Sequence, residues 1–145
     1  MEAHDTLNEI LVILFNDIMD LEQKALISEK FKNISINDMH IIEAIGDKEP
    51  QKMSQIAKSM KVTVGTLTTA MNSLVNKGYV IREKGQEDRR VVFISLSELG
   101  LEALKKHAKF HEDMVQTIMK SLNDTEIDVL IGALKKLSVY FKKFS

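Results

Sequence analysis

The most compact basic feature of the chain is the arginine pair Arg89–Arg90, which directly follows Asp88 in the stretch KGQEDRR. An arginine guanidinium is permanently charged, donates to phosphate oxygens and suits the narrow minor groove of DNA. The Asp88 carboxylate can hold Arg90 by a charge-assisted hydrogen bond and so orient it. Arg82, Lys84 and Arg89 then become candidates for phosphate contacts. The alternative is a solvated turn, whose ion pair contributes less than about 1 kcal/mol.

A second set of candidate DNA contacts lies upstream, in the run TVGTLTTAMNSLVNKG: Thr63, Gly65, Thr66, Thr68, Thr69 and Asn72. Hydroxyls bond to phosphates and bases, threonine methyls pack on the methyl of thymine, and asparagine pairs with adenine. Gly65 in the first turn of a helix costs about 1 kcal/mol relative to alanine, which a close approach to DNA would explain. The alternative is a threonine-rich helix whose hydroxyls are merely solvated.

The pattern around these residues predicts a winged helix-turn-helix. The segment MSQIAKSM and a helix capped by Thr63 and stopped at Gly78 are separated by a short turn at Lys61–Val62. The runs YVIRE and VVFIS then alternate as strands, with KGQEDRR as the tip of a two-stranded hairpin. The hairpin tip is thereby placed beside the second helix, which would read DNA in the major groove.

Amphipathic helices flank this part of the chain. Apolar residues recur at helical spacing from Leu7 to Leu21, Ser35 and Asp38 form a capping pair, Ser97 caps a helix to about Leu122, and Asn123 with Glu126 caps the last helix. We therefore predict a single mainly α domain over 1–145, in the order α-α-α-α-β-β-α-α. The DNA-binding part is 35–96, and 1–34 and 97–145 are dimerisation helices. Their surplus apolar surface predicts a homodimer.

Composition narrows the function. The 145 residues are 44% hydrophobic and 28% charged and include no cysteine, which excludes thiol chemistry and disulfides. No run of eighteen apolar residues or basic leader is present, so we expect a cytoplasmic protein. The net charge is −7 over residues 1–50, +5 over 51–95 and +1 over 96–145. The basic middle third is where a polyanion would bind, and no phosphate-binding loop or activated nucleophile suggests an enzyme.

The run from Ile56 to Gly100 resembles the winged helix of the MarR family of bacterial transcription regulators. The matching features are the small-residue reading helix, the exit Lys77-Gly78-Tyr79-Val80, Arg82, Asp88-Arg89-Arg90 and Ser97-x-x-Gly100. The resemblance implies an obligate homodimer on a pseudo-palindromic double-stranded operator. Thr69 and Ser73 stand where the family often has basic side chains, so the wing should carry more of the affinity. A winged helix used only for protein contacts would not need the arginine pair.

The stretches DMHIIEAIG, VTVGTLTTAMNSLVNKGYV, DRRVVFISL and KHAKFHEDMV resemble the FabT-type repressors of fatty-acid biosynthesis. That group implies an acyl chain on acyl carrier protein as corepressor. An apolar slot for the chain would be lined by Phe15, Met19, Met39, Phe110 and Met114; the alternative is that these residues are core. An acidic carrier protein would dock on Lys105, Lys106 and Lys109, unless these lysines only form a solvated helix face.

A zinc-responsive repressor is the other reading. His107 and His111 are four residues apart on one helix face, a chelating spacing. With Glu22 and His40 they resemble the metal site of AdcR-type members of the family, although the cysteine that helps form a second site there is absent. The alternative is that the histidines are polar groups bonded inside the dimer, with no metal or other cofactor.

Overall fold

The computed structural model describes residues 2–26, 30–31 and 33–144. Residues 1, 27–29 and 32 of the predicted segment 1–34, and residue 145 of the segment 97–145, lie outside the described residues. The described residues form six helices and three short strands: α1 Glu2–Leu26, α2 Ile36–Ile45, β1 Gln51–Lys52, α3 Met53–Met60, α4 Val64–Asn76, β2 Val80–Lys84, β3 Val92–Leu96, α5 Glu98–Ser121 and α6 Asp124–Lys142. The predicted mainly α winged helix-turn-helix is confirmed.

Several predicted helix boundaries are confirmed by their caps. The Ser35 hydroxyl accepts from the Asp38 backbone N–H at 3.1 Å, and the Asp38 carboxylate accepts from the Ser35 N–H at 3.1 Å. Asn123 and Glu126 make the same reciprocal pair at the start of α6. Thr63 caps α4 through a 3.1 Å bond from the Thr66 N–H. Each cap satisfies backbone donors that the first helical turn leaves unpaired, which is why short polar residues mark these starts so reliably.

The sheet has one strand more than the predicted hairpin. Strands β2 and β3 pair antiparallel from Val80 opposite Leu96 to Lys84 opposite Val92. The two-residue strand β1 adds to the other edge of β3, giving the order β1-β3-β2. Two residues are too few to show the alternation that predicts a strand, so only pairing with β3 reveals β1.

The chain divides into two compact units, Met1–Ala108 and Lys109–Ser145. In the first unit a single apolar core joins α2, α3, α4, the sheet and the start of α5. Its largest fully buried side chains are Tyr79, Met39, Ile42, Ile45, Ile56, Met71, Leu74 and Ile94. Burying an aliphatic side chain of this size contributes about 1.5–3 kcal/mol. The helix α4, predicted to read DNA, and the strands β2 and β3 of the wing therefore pack on the same core.

A tight backbone contact fixes the start of α5 against the end of the reading helix. The Ser97 N–H donates to the Tyr79 carbonyl at 3.0 Å, and the Ser97 hydroxyl donates to the Gly78 carbonyl at 2.5 Å. A Cβ atom at Gly100 would lie only 2.2 Å from the Tyr79 carbonyl oxygen. The Ser97-x-x-Gly100 pattern therefore lets the first turn of α5 pack directly against the backbone of Gly78 and Tyr79, which connects α4 to β2.

Helices α1 and α6 leave many apolar side chains exposed. On α1 these include Leu7, Ile10, Leu14 and Phe15, and on α6 Val129, Leu134, Val139 and Phe141. None of the helices within the described ranges is long and apolar enough to cross a membrane. Exposed apolar surface of this extent marks an interaction surface.

Candidate nucleic-acid interface

The reading helix α4 has two opposite faces. Its buried face carries Leu67, Met71 and Leu74. Its exposed face carries, in one stripe at helical spacing, Gly65, Thr69, Asn72 and Asn76. The stripe is small and polar from end to end, so it can enter a DNA groove without bulky side chains in the way. Asn76 was not among the sequence candidates, because only the burial of the opposite face shows that the stripe continues to the last turn.

The threonines at the start of α4 differ in whether their hydroxyl groups already donate a hydrogen bond within the chain. Thr63 donates to the Thr66 hydroxyl at 2.8 Å, and Thr68 donates to the Val64 carbonyl at 2.7 Å. Thr69 makes no side-chain hydrogen bond within the part of the chain that the structure describes. Of this set, Thr69 is the hydroxyl that can turn to a base or phosphate without breaking an internal bond.

The turn before α4 is set by a left-handed residue. Lys61 has φ 57° and ψ 42°, and its side chain is exposed. The conformation sends the chain sharply from α3 into the Thr63 cap of α4. Lys61 therefore places a positive charge at the entrance of the reading helix, a position that composition alone did not single out.

At the wing, Asp88 holds Arg90 as predicted. The Arg90 Nε and Nη2 atoms donate to the two Asp88 carboxylate oxygens at 3.1 Å each, and the Arg90 backbone N–H donates at 3.0 Å. The Arg90 side chain is nevertheless 91% exposed, so it is oriented without being covered. Gly85 makes the tip compact, since a Cβ there would lie 2.7 Å from the Asp88 carbonyl oxygen.

The same ion pair fixes the charge state of the wing. The hydrogen bonds from Arg90 lower the pKa of the Asp88 carboxyl below its usual value and raise the pKa of Arg90. A lowered carboxyl pKa means that the pair is fully present above the usual aspartate range and is lost only as the pH falls through the lowered value. Arg90 therefore stays oriented throughout the neutral and mildly acidic range.

Arg82 and Asn72 are joined across the gap between the wing and the reading helix. An Nη1 hydrogen of Arg82, on β2, is donated to the Asn72 side-chain oxygen on α4. Both residues are exposed. Sequence spacing gave them separate roles, a phosphate contact and a base contact, and did not predict the bond.

Comparisons with known proteins agree with this geometry. The MarR family model matches residues 34–92. FabT of Streptococcus pneumoniae, in a crystal structure in complex with DNA, is 35% identical, with a TM-score of 0.89 over 98% of this chain and 99% of that one. This chain belongs to the MarR family. It is a DNA-binding transcriptional regulator, a class that is not enzymatic.

Two curated MarR-type relatives from Bacillus subtilis (strain 168) are more distant. The helix-turn-helix regulator YkoM is 29% identical over 100 residues, which are 69% of this chain and 65% of YkoM. YpoP is 28% identical over 109 residues, 73% of this chain and 75% of YpoP. Both are described as uncharacterized regulators, so they support the family and say nothing about the signal.

Three of the four residues proposed for zinc meet in the first unit. The Glu22 Oε1 atom lies 3.3 Å from His107 Nε2 and 3.7 Å from His40 Nε2. His107 is buried and also contacts the Glu43 carboxylate directly. Glu43 was missed by sequence reasoning, although it lies one helical turn after His40 on α2. The fourth predicted residue, His111, follows one turn after His107 on α5 and belongs to the second unit.

The five residues proposed for an acyl slot lie in different environments. Met39 is fully buried in the core of the first unit, and Phe15 and Met19 are exposed on α1. Phe110 and Met114 are half-buried on the part of α5 that belongs to the second unit. The slot therefore stays a prediction.

The three lysines predicted to dock a carrier protein also differ in the contacts that their ammonium groups make. Lys109 is paired with Asp113 at 3.1 Å, and the Lys106 ammonium lies 5.5 Å from the centre of the Phe31 ring. Lys105 is exposed and makes no bond with the described residues. It is the lysine best placed to meet an acidic partner without first breaking an internal contact.

Gly65 supplies a test of which helix face meets DNA. We expect Gly65→Ala to raise the free energy of unfolding by up to about 1 kcal/mol, because alanine is the better helix former. The nearest atom to an added Cβ is the Thr63 hydroxyl oxygen at 4.0 Å, so nothing inside the chain opposes it. Affinity for DNA should nevertheless fall by about fivefold or more, because the methyl group stands in the exposed stripe.

The matched control is Gly132→Ala on α6, where an added Cβ also meets nothing within 4 Å. Because α6 is a proposed dimerisation helix, the oligomeric state of this variant is compared with the wild type by sedimentation. With that state unchanged, we expect Gly132→Ala to gain stability without losing DNA affinity. Urea unfolding at one fixed protein concentration and fluorescence titration with a DNA duplex measure the two quantities. Unchanged DNA affinity of Gly65→Ala would remove Gly65 from the interface.

Proposed function

We propose that this MarR-family regulator represses fatty-acid biosynthesis genes, and that an acyl chain carried on acyl carrier protein acts as its corepressor. The observation that carries the proposal is the match to FabT, which extends over 98% of the chain at 35% identity. It adds to the FabT-like stretches in α2, α4, the wing and α5. The protein would act in the cytoplasm, on promoter DNA.

The regulator would act as a homodimer. Helix α6 has no buried side chain within the described residues, and α1 exposes Phe15 and Leu7 by 62% and 60%. A second copy is the partner that would cover such faces and also supply a second reading helix. A two-fold dimer places two reading helices in successive major grooves, about 34–36 Å apart, on a pseudo-palindromic operator. A ligand that changes the angle between them would couple acyl binding to DNA binding.

Salt dependence tests the phosphate contacts. The candidate cations of the wing are Arg82, Lys84, Arg89 and Arg90, and two wings would make roughly six to eight phosphate contacts. We expect affinity to fall by about a thousandfold or more between 50 and 200 mM salt, because each contact releases condensed counterions. Lys84→Ala should lower the slope of log K against log salt by about two per dimer. A flat response would contradict the predicted role of the wing.

The signal is tested by measuring affinity for a duplex from a fatty-acid gene promoter with chelator-treated protein. The titration is repeated with long-chain acyl carrier protein, with the carrier protein lacking the acyl group, and with zinc. We expect the protein to bind the duplex more tightly with the acylated carrier and not with the unacylated carrier or zinc. The acylated carrier should increase the DNA affinity of Lys105→Glu by less than it increases that of the wild type. A response to the unacylated carrier, or none to either, would contradict the corepressor proposal while leaving DNA binding in place.

Zinc sensing is the second candidate function, and the observation that favours it is that ligand atoms of Glu22, Glu43 and His107 lie within 4.8 Å of one another. The 3.3 Å between Glu22 Oε1 and His107 Nε2 is close to the separation of two ligands on a tetrahedral zinc with bonds of about 2.0–2.1 Å. These residues would hold the ion and tie α1, α2 and α5 together. The direct contact between His107 and Glu43 instead fits a hydrogen-bonded cluster without metal. If the chelator-treated protein binds DNA only after zinc is added, the zinc-sensing function is supported over a metal-free hydrogen-bonded cluster.

A further inference from the structure

The bond between Arg82 and Asn72 changes what the reading helix presents to DNA. Asn72 lies in the exposed stripe of α4, beside Thr69, and Arg82 lies on β2 at the root of the wing. The Arg82 guanidinium donates to the Asn72 side-chain oxygen. The two side chains therefore reach one place on the surface from two different elements.

An asparagine that reads adenine uses both ends of its amide. The oxygen accepts from the adenine N6 amino group while the nitrogen donates to N7. In this structure the Asn72 oxygen already accepts a hydrogen bond from the positively charged Arg82 guanidinium. The guanidinium occupies one lone pair of that oxygen and sterically blocks the approach of a second donor. With the oxygen held, the amide nitrogen is the part of the Asn72 side chain that remains to meet a base.

We propose that Arg82 and Asn72 form one base-reading unit that presents only hydrogen-bond donors to the major groove, and that this unit prefers guanine over adenine. The remaining donors are the Asn72 amide hydrogens and the free guanidinium hydrogens. Guanine offers two acceptors, N7 and O6, in the major groove, whereas adenine offers one acceptor beside a donor. Arg82 is here a positioning residue for Asn72 as well as a cation. The inference rests on the proposed DNA-reading role of α4.

The test begins with the wild-type protein and a library of DNA duplexes randomised over two helical turns. Each position of the selected half-site is then changed to all four bases, and affinities are measured by competition. We expect one position per half-site at which guanine is preferred over adenine by about 5- to 150-fold, the range for a good bidentate contact. A wild-type preference for adenine at the position that Asn72 reads would overturn the donor-only unit.

The variants then show whether the two residues act together. Asn72→Ala and Arg82→Lys should both lose the guanine preference at the same position, and the double variant should lose no more than either one, because the two side chains act as a unit. Arg82→Lys keeps the charge but replaces the planar fork that fixes the amide. Its salt slope should therefore match that of the wild type. Circular dichroism and urea unfolding confirm that these exposed substitutions leave the fold intact.

Lys84→Ala is the matched control, since Lys84 lies two residues further along β2 and, among the described residues, makes no bond to α4. It should weaken binding to all sequences equally. If Arg82→Lys behaves in the same way, or alters a position other than that altered by Asn72→Ala, Arg82 is only a phosphate contact and the inference is wrong. Failure of the wild type to select any common sequence would instead overturn the proposed function, and it is visible before any variant is made.

Discussion

Gly100→Ala is expected to lower the free energy of unfolding by about 3 kcal/mol or more, the upper range for overpacking. The new Cβ would lie 2.2 Å from the Tyr79 carbonyl oxygen and 3.2 Å from two Leu96 side-chain atoms. The carbonyl cannot withdraw freely, because it accepts the Ser97 N–H at 3.0 Å. The start of α5 would have to move away from β2 and disturb the base of the wing. Urea unfolding monitored by circular dichroism measures the loss.

The control for this result is Gly65→Ala, the same substitution at another helical glycine with no neighbour closer than 4.0 Å. It is expected to stabilise the fold slightly, so the difference between the two variants isolates the close contact from helix propensity. Both are compared at one protein concentration, because the stability of the proposed dimer would depend on that concentration. If Gly100→Ala is as stable as the wild type, α5 can shift without cost. The close contact between Gly100 and Tyr79 would then not fix the position of the wing.

Arg90→Ala is expected to weaken operator binding by about 1–3 kcal/mol, or roughly 5- to 150-fold. The Arg90 guanidinium donates two hydrogen bonds to the Asp88 carboxylate, and the Arg90 side chain is still 91% exposed. Its orientation is therefore prepared before DNA arrives, and removing it loses both a charge and a fixed geometry. Fluorescence anisotropy with the selected duplex measures the affinity.

Two further variants separate charge from orientation at the wing. Arg90→Lys keeps the charge without the planar fork and should recover part of the lost affinity. Asp88→Ala leaves Arg90 charged but unheld, and should weaken binding although it removes a negative charge near DNA. Tighter binding by Asp88→Ala would show that Asp88 repels DNA more than it orients Arg90. Unchanged binding by Arg90→Ala would exclude the wing tip from the interface.

The order of elements could be predicted from the sequence because it depends on local physics. The caps at Ser35, Thr63 and Asn123 bond backbone groups three residues away, and each strand of the hairpin contains its β-branched or aromatic residues within a run of five. The ion pair of Asp88 and Arg90 was predictable for the same reason, since the two residues are separated by only one position. A pattern that is complete within one turn or one strand is visible in the chain itself.

Long-range relations were decided by the tertiary structure alone. Strand β1 exists only through its pairing with Ile94 and Phe93. Arg82 meets Asn72 ten residues away, and Glu43 meets His107 from another helix.

The residues of the wing and of the reading helix could thus be predicted from the sequence. The hydrogen bond that joins these two elements, between Arg82 and Asn72, could not. The close approach at Gly100 was likewise present in the sequence only as a family pattern, and the fold supplied its reason. Such contacts depend on how separate elements pack, and no local periodicity encodes that packing.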